Sequence, residues 1–225
     1  MTDILLLFPT ALEANKILDC EFQARQWTTL PGLPNTPKAA ICGFGLPVAT
    51  ALASFFINEC RPRHVILMGI AGSFDLDRAP MGHVVQGSLA TGVGIGAGQG
   101  QEHISALDLG FDPHAELDQK GPSLPLTVLD ENMRAGEIVS VASASANPEE
   151  AKRVREAHPA ALLEDMESYG VALATNLGGC SLSVVRGISN QVGIRDKSTW
   201  KILDALEALR LALPPLLSAA HRPRE

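Results

Sequence analysis

The sequence predicts an α/β fold: a single-domain, three-layer α/β/α sandwich around a mixed, mainly parallel sheet, spanning residues 1–225. Short, continuous apolar runs at 4–8, 39–42 and 65–68 are typical of strands buried on both faces. A glycine turn and a helical pattern separate the second run from the third, which is the order of a βαβ unit. The length of 225 residues, with 46% hydrophobic residues and no visible linker or repeat, favours one compact domain.

The first half of the chain supplies three of the predicted strands and one helix. The run at 4–8 stops at Pro9, and the run at 39–42 ends in Gly43-Phe44-Gly45. Pro47 fits the first turn of a helix, and its apolar residues recur at helical spacing as Val48, Ala51, Leu52 and Phe55. The run at 65–68 leads into 69–73, Gly-Ile-Ala-Gly-Ser, which is either backbone that approaches a ligand or a tight turn.

The middle of the chain predicts loops. Glycines occupy alternate positions from Gly92 to Gly100, and such a density within 82–110 opposes regular packing and predicts a mobile loop. Residues 111–125 are polar and contain prolines, so they also indicate a loop. A strand is expected at 137–141.

The second half alternates helices and strands. Asn147, Pro148 and Glu150 predict a capped helix that ends at His158. After the short apolar pair at 162–163, Asp165 can cap a helix that stops at the glycines 178–179. A strand follows at 182–188. The last helix should begin near Ser198 and end at the proline pair Pro214 and Pro215. Its apolar side is formed by Trp200, Leu203, Leu206 and Leu209.

Composition narrows the classes of function. A net charge of −7 argues against nucleic acid, since phosphate neutralisation needs clustered lysines and arginines, so we expect a small-molecule substrate. The six histidines show no metal-binding spacing, and the four cysteines fit free thiols better than disulfides or metal ligands. We therefore expect neither metal nor cofactor. The start of the chain lacks a basic signal-peptide region and no apolar run is long enough for a bilayer, which predicts a cytoplasmic protein without membrane association.

Polar residues interrupt the apolar pattern where strands end, at 9–13, 43–45, 69–73, 164–167 and 189–196. Ligands collect at the carboxyl ends of strands in open α/β sheets. Glu167 falls in the first turn of a predicted helix, whose dipole favours an ionised carboxylate able to accept hydrogen bonds from sugar hydroxyls. Plain helix capping by acidic residues explains the same pattern.

Asn190 and Arg195 are the other candidates at the strand ends. Asn190 offers a donor and an acceptor side by side, which suits a 6-oxopurine, although an Asn in a turn is also compatible. Arg195, next to Asp196, forms either a surface ion pair or a partner for an acidic group of the substrate. The sequence shows neither a phosphate-binding loop nor a serine nucleophile motif.

Together these segments resemble the nucleoside phosphorylase/nucleosidase superfamily, and within it the futalosine hydrolases. The resemblance lies in Asp165-Met166-Glu167 at a helix start, the strand 186–190, and the turns at 42–45 and 69–72. Its specific parts are the stretch 188–196, Ile-Ser-Asn-Gln-Val-Gly-Ile-Arg-Asp, with Trp200, and the opening 9–14, Pro-Thr-Ala-Leu-Glu-Ala. The family implies hydrolysis of futalosine to hypoxanthine and dehypoxanthinylfutalosine in menaquinone biosynthesis, by a homodimer or a higher homo-oligomer.

The resemblance also implies roles for individual residues. Glu13 would activate the water and Asn190 would contact the purine. The residues implied to bind substrate are the backbone of Ala71 and Gly72, Met166 against the ribose, Glu167 on its 2′ and 3′ hydroxyls, Ser189, and Arg195 (or Lys197) on the carboxylate of futalosine.

Two departures from related enzymes favour hydrolysis of a 6-oxopurine nucleoside. The methylthioadenosine nucleosidases carry Asp where this chain has Asn190; an amide can donate to O6 and accept from a protonated N7. The phosphorylases place arginines in the early loops, whereas 9–15 and 69–74 contain none here and Lys16 and Arg78 lie off that pattern. Water is therefore favoured over phosphate as the nucleophile.

Several alternatives stay open from the sequence. The catalytic glutamate of the family aligns with either Glu13 or Asn15. No aromatic residue occurs at 140–147 to stack on the purine, which leaves Phe44, Phe74 or a residue of a neighbouring subunit. The glycine run at 92–100 is either a lid or a degenerate loop. A methylthioadenosine-type nucleosidase, a purine nucleoside phosphorylase and a non-catalytic nucleoside-binding protein are the competing functions.

Overall fold

The computed structural model describes residues 3–23, 25–98, 100–117, 119 and 121–220, and the described part of the chain contains a nine-stranded mixed sheet and five α-helices. The strands are β1 (Ile4–Phe8), β2 (Trp27–Thr29), β3 (Lys38–Ile41), β4 (His64–Ser73), β5 (Val84–Gly92), β6 (Gly96–Ala97), β7 (Ile104–Ser105), β8 (Ser123–Pro125), β9 (Ala135–Ser140), β10 (Ala161–Asp165) and β11 (Ser181–Gln191). The helices are α1 (Ala11–Leu18), α2 (Leu46–Cys60), α3 (Pro148–Ala157), α4 (Ser168–Leu177) and α5 (Ile202–Ala220).

The sheet runs in the order β10-β9-β5-β11-β4-β1-β3-β2, with β8 paired to β5. The central strand β4 runs parallel to both β1 and β11. The end of β4 also pairs antiparallel with β10, so the sheet curls back on itself at that end. The predicted mixed α/β sheet is thus confirmed, and the strand ends that carry the candidate site residues converge beside β4.

Side chains alternate across the sheet and build an apolar core on each face. In β1, Leu5 and Leu7 pack into the core beneath α2 and α4, whereas Ile4, Leu6 and Phe8 pack into the core beneath α1 and α5. Every residue of β1 is fully buried, as its continuous apolar sequence predicts. Helices on both faces make the three layers expected from the sequence.

Two predictions for the glycine-containing segments are wrong. The segment 69–73 is no turn, because β4 continues to Ser73 and pairs with strands on both sides. Within 82–110, β5 forms a nine-residue strand bonded to β11 and β9. Burial and ladder hydrogen bonds outweigh the conformational freedom of glycine there. Beyond Gly92 the prediction of a loop is closer, since the described residues up to Gly110 form a short β6–β7 hairpin and one 3-10 turn at Gly100–Glu102.

Two helices differ from their predicted form. The stripe of α2 expected from Val48 and Phe55 faces outward, and both side chains are about half exposed. Its buried face consists of Ala49, Ala53, Phe56, Ile57 and Cys60 instead. The sequence predicts that the last helix ends at Pro214 and Pro215. Helix α5 instead continues through both prolines to Ala220. Leu213, Leu216 and Leu217 are buried in the core, and that packing holds the last turns in helical form.

The capping prediction for α3 is confirmed. Asn147 accepts a hydrogen bond from the backbone N–H of Glu150, and Pro148 occupies the first turn. All four cysteines are free, as predicted. Among the described residues, no helix combines the length and apolar character that crossing a bilayer requires.

Candidate active site

A cavity of about 320 Å³ opens at the carboxyl ends of β1, β4, β10 and β11. It is lined by eight residues that the sequence nominates as catalytic or substrate-binding, namely Glu13, Ala71, Gly72, Met166, Glu167, Ser189, Asn190 and Arg195, whereas Lys197, the alternative to Arg195, does not line it. The fold therefore brings together segments that are far apart in the sequence, because the ends of neighbouring parallel strands meet at one edge.

Glu13 is held rigidly in the wall of this cavity. Its Oε1 accepts a hydrogen bond from the backbone N–H of Ile70 at 2.9 Å, and its Oε2 accepts from the hydroxyl of Thr10 at 2.5 Å. Thr10 also caps α1, so the first helical turn fixes the carboxylate. Asn15 lies on the exposed side of the same helix and does not line the cavity. Of the two aligned positions, the geometry thus favours Glu13.

Beneath the cavity lies a fully buried guanidinium that the sequence reasoning missed. Arg186 donates from Nε and Nη2 to Asp165 Oδ2 at 3.0 and 2.6 Å, and from Nη2 to Glu167 Oε2 at 3.2 Å. Its Nη1 has no hydrogen-bond partner among the described residues. A Cβ added to Gly69 would lie 2.5 Å from Nη1 and 2.6 Å from Glu13 Oε1, so both groups border the same small space. A charged residue inside an apolar strand was the available signal, because an Arg is almost never fully buried unless it is paired.

Asp165 organises this network from the end of β10. It binds Arg186 through Oδ2, and its Oδ1 accepts from the hydroxyl of Ser140 at 2.5 Å. The same carboxylate accepts from the backbone N–H of Ser168, the first residue of α4, and from the Ser168 hydroxyl. Asp165 therefore caps the start of α4 as predicted, but from the end of β10, because the helix begins at Ser168 and not directly after Asp165. Removing one partner of such a buried ion pair typically costs about 3–5 kcal/mol.

Glu167 occupies the N-cap position of α4 and is almost completely buried. Its Oε1 accepts from the backbone N–H of Gly45 at 3.1 Å, while Oε2 faces Arg186. Gly45 has a φ of +87°, which a glycine adopts without strain and which belongs to the turn that delivers this N–H. Burial raises the pKa of Glu167 to about 7, with Asp165 adding to the shift, while Arg186 and the Gly45 N–H oppose it. The helix dipole alone would lower the pKa of Glu167, so the shift caused by burial has the opposite direction.

Asn190 lies beside Gly72 at the end of β11. Its Oδ1 accepts from the Ser189 hydroxyl at 2.8 Å, and its Nδ2 donates to the carbonyl of Gln191 at 2.9 Å. The Ser189 hydroxyl also lies 3.2 Å from the carbonyl of Ala71. Ser189 is buried, so its hydroxyl serves to orient the Asn190 amide at the cavity wall.

Glu164 is a further buried carboxylate in the wall, and the sequence reasoning assigned it no role. Its Oε1 accepts from the backbone N–H of Ser145 at 2.9 Å, and its Oε2 accepts from the Ser145 hydroxyl at 2.6 Å. Burial raises the pKa of this carboxyl, and the two hydrogen bonds from Ser145 and the charge of Arg195 oppose that shift.

The rim of the cavity combines a cation with aromatic rings. The Arg195 guanidinium lies 5.2 Å from the centre of the Trp200 ring, whose Nε1 donates to the carbonyl of Ile194 at 3.0 Å. Phe44 also lines the cavity and is 63% exposed, whereas Phe74 lies outside it. The described residues of the glycine run at 92–100 contribute nothing to the lining. Within the described parts of the chain, no group of three or more His, Cys, Asp or Glu side chains is placed to hold a metal ion.

Similar proteins share both sequence and fold with this chain. The Phosphorylase superfamily profile matches residues 12–214. The futalosine hydrolase of Streptomyces coelicolor is 33% identical over 198 residues, which cover 86% of this chain and 83% of that protein. The structure of futalosine hydrolase from Helicobacter pylori superposes with a TM-score of 0.73 at 18% identity, covering 96% of this chain and 97% of that one. An adenine complex of the methylthioadenosine/S-adenosylhomocysteine nucleosidase from Colwellia psychrerythraea superposes with a TM-score of 0.74 at 16% identity, covering 96% and 94%.

Proposed function

This chain belongs to the phosphorylase superfamily and, within it, to the futalosine hydrolase family, and we propose that it hydrolyses the N-glycosidic bond of futalosine. The products are hypoxanthine and dehypoxanthinylfutalosine, an intermediate of menaquinone biosynthesis. The observation that carries the proposal is one cavity of about 320 Å³ whose wall includes the carboxylates of Glu13 and Glu167 and the amide of Asn190. Cavities of roughly 300–1,000 Å³ accommodate ligands of this size.

The charges around the cavity favour water over phosphate as the nucleophile. The buried cation beneath it, Arg186, is already bound to two carboxylates and lies close to that of Glu13. Glu164 adds a further carboxylate to the wall. An inorganic phosphate dianion would enter this acidic surrounding against electrostatic repulsion, whereas a neutral water molecule would not.

Glu13 serves as the general base in this reaction. Its two hydrogen bonds fix the carboxylate at the cavity wall and leave lone pairs on both oxygens free to accept a proton. As water adds to C1′ of the ribose, Glu13 takes its proton, the C1′–N9 bond breaks and its electron pair leaves with the purine. The released hypoxanthine then takes up one proton. General bases of this kind contribute about 10²–10⁴-fold in rate.

The remaining residues hold the substrate. Glu167 accepts hydrogen bonds from the 2′ and 3′ hydroxyls, Met166 packs against the ribose, and the backbone of Ala71 and Gly72 lines the floor. Asn190 contacts the O6–N7 edge of the purine, oriented by Ser189. Arg195 at the rim binds the benzoate carboxylate of futalosine.

The same surface supports the proposal that the chain assembles as a homodimer or a higher homo-oligomer. Large apolar side chains are about half exposed or more at Leu12 on α1 and Phe44 before α2, which both line the cavity, and at Val48 and Phe55 on α2. Exposed apolar surface beside a site is typical of a protein interface. Light scattering of the purified protein tests it, and a monomeric mass at micromolar concentration would contradict it.

The activity is tested by incubating the purified protein with futalosine in phosphate-free buffer and separating the products by chromatography. We expect free hypoxanthine in the absence of phosphate and no stimulation when phosphate is added. A rate that depends on phosphate would indicate phosphorolysis. Tight binding of futalosine without product would indicate a nucleoside-binding protein.

A further inference from the structure

Residues 100–117 form a largely irregular segment between β6 and β8 that is mostly exposed to solvent. Its described hydrogen bonds connect residues of 95–117 with one another, with one exception. The exception is His114, which is the fully buried side chain among those that the structure describes in this segment. The imidazole of His114 therefore makes the polar contact that fixes the segment to the rest of the molecule.

The partner of His114 is Tyr169, the second residue of α4. Nε2 of the imidazole lies 2.8 Å from the tyrosine hydroxyl, and the two rings stack with their centres 5.7 Å apart. Both side chains are buried, and Nδ1 of His114 has no partner within the described parts of the chain. The loss of either polar group would leave the other buried without a hydrogen bond, which is costly.

The ring of Tyr169 also packs tightly against the end of β5. A Cβ added to Gly92 would lie 2.7 Å from Cε1 and 2.8 Å from Cδ1 of this ring. A glycine at position 92 thus makes room for the tyrosine. The ring is held in contact with the sheet and with the imidazole of His114 at the same time.

The first turn of α4 connects Tyr169 with the carboxylate of Glu167. The backbone N–H of Tyr169 donates to the hydroxyl of Ser140 at 2.9 Å, and this hydroxyl donates to Asp165 Oδ1 at 2.5 Å. Glu167 is the N-cap of the same helix and lies two residues before Tyr169. The backbone bonds and the side chain of Tyr169 therefore fix the helical turn that presents Glu167 to the cavity.

We propose that His114 is a positioning residue for ribose recognition, which holds Tyr169 and thereby fixes the first turn of α4 and the carboxylate of Glu167. His114 does not line the cavity, so it acts through Tyr169 and not on the substrate. This inference rests on the proposed function, in which Glu167 accepts hydrogen bonds from the ribose hydroxyls. The purine contact comes from Asn190 on β11, so the loss of His114 should weaken the binding of ribose and leave the binding of the base unchanged.

The test is calorimetric titration with 9-deazahypoxanthine and with 9-deazainosine. The two probes share one base, and the nucleoside has a carbon–carbon bond to ribose that hydrolysis does not cleave. The ratio of their dissociation constants therefore measures the contribution of ribose. His114→Leu retains a buried side chain of similar size and leaves the Tyr169 hydroxyl unpaired. We expect its affinity for the nucleoside to fall by about 3- to 10-fold, the contribution of one hydrogen bond, while its affinity for the base stays at the wild-type value.

Two control variants should retain wild-type affinity for both probes. His114→Gln can place an amide where Nε2 of the imidazole lies, so it restores a partner for the Tyr169 hydroxyl. Ser105→Ala removes a hydroxyl of the same segment that bonds with Asp108 and does not reach α4. A weak nucleoside affinity in His114→Leu alone would therefore point to the contact with Tyr169.

The double variant His114→Leu with Tyr169→Phe separates positioning from stability. It replaces both polar partners by apolar groups, so its free energy of unfolding should recover toward that of the wild-type protein. Its affinity for the nucleoside should stay as low as in His114→Leu, because both changes remove the same contact. A purely structural role predicts that affinity recovers together with stability, and that result would overturn the proposal.

Equal losses of affinity for the base and the nucleoside in His114→Leu, or no loss at all, would also overturn it. So would equal binding of the two probes by the wild-type protein, since no contribution of ribose would then exist to be positioned. The futalosine assay distinguishes the two proposals. A ribose-selective loss in a protein that does not cleave futalosine removes the hydrolase activity alone, and cleavage with unchanged ribose selectivity in His114→Leu removes the role of His114 alone.

Discussion

Replacement of Glu13 by Gln should abolish most of the turnover while the fold stays intact. The glutamine can retain both contacts of the native side chain, because its oxygen can accept from the Ile70 N–H and its amide can donate to the Thr10 hydroxyl. What disappears is the negative charge in the first turn of α1, which is worth about 0.3–1 kcal/mol to the helix. The variant should therefore unfold within a few degrees of the wild-type protein.

The loss in rate follows from the loss of the base. An amide cannot take the proton of the attacking water, so kcat for futalosine should fall by about 10²–10⁴-fold. That factor equals a rise of roughly 3–5 kcal/mol in the activation barrier. KM should change little, since the contacts to ribose and purine come from other elements. Initial rates of hypoxanthine release, with thermal unfolding of the same sample, measure both quantities.

Asn15→Ala provides the control on the same helix. Asn15 is exposed and lies outside the cavity, so this variant should retain wild-type kcat. A Glu13→Gln enzyme within 10-fold of the wild-type rate would refute the assignment of the base. Equal losses in both variants would show that α1 acts by positioning alone.

Three further changes test the substrate contacts and the buried charges. Asn190→Asp should shift the ratio of kcat/KM toward the 6-amino analogue of futalosine by about 10-fold or more, since a carboxylate accepts from an amino group; an unchanged ratio contradicts the role of Asn190. Arg195→Gln should raise KM for futalosine by roughly 10-fold and leave inosine unaffected, with Lys197→Gln as the control; equal effects on both nucleosides would exclude a contact to the benzoate. Because burial raises the pKa of Glu167 from 4.5 to about 7, the native state binds this proton more tightly than the unfolded chain does. The free energy of unfolding should therefore fall as the pH rises from 4.5 to 7, and Glu167→Gln should remove that component from urea titrations; an identical pH dependence in both proteins would be inconsistent with the shift.

Much of the fold could be predicted because its strands are apolar throughout. The runs in β1, β3 and β4 are buried on both faces, so continuous hydrophobicity identifies them without any alternation. The prediction failed where tertiary packing overrides local preference. Val84–Gly92 contains glycines and forms a central strand because neighbours on both sides bond to it, and α5 passes two prolines because its apolar side is buried.

The sequence identified individual residues of the candidate site, but it did not show which buried charges contact one another. Polar residues after apolar strands indicated Glu13, Glu167 and Asn190, and the cavity contains all three. Arg186 and Glu164 lie within strands that their apolar neighbours define, and only the structure shows which carboxylates and backbone groups surround them. The raised pKa of Glu167 likewise depends on burial, which the sequence position does not reveal.

The small residues at the end of β4 explain how so many functional groups fit around one cavity. Positions 69, 71 and 72 are Gly, Ala and Gly, and a side chain at either glycine would occupy space that functional groups already use. At Gly69 that space lies between Arg186 Nη1 and Glu13 Oε1, and at Gly72 it lies beside Asn190. Gly69 and Gly72 therefore leave space for the functional side chains around them, while the backbone N–H of Ile70 holds the carboxylate that we propose as the general base. The glycines that suggested a tight turn are explained by this close approach of side chains to an extended strand.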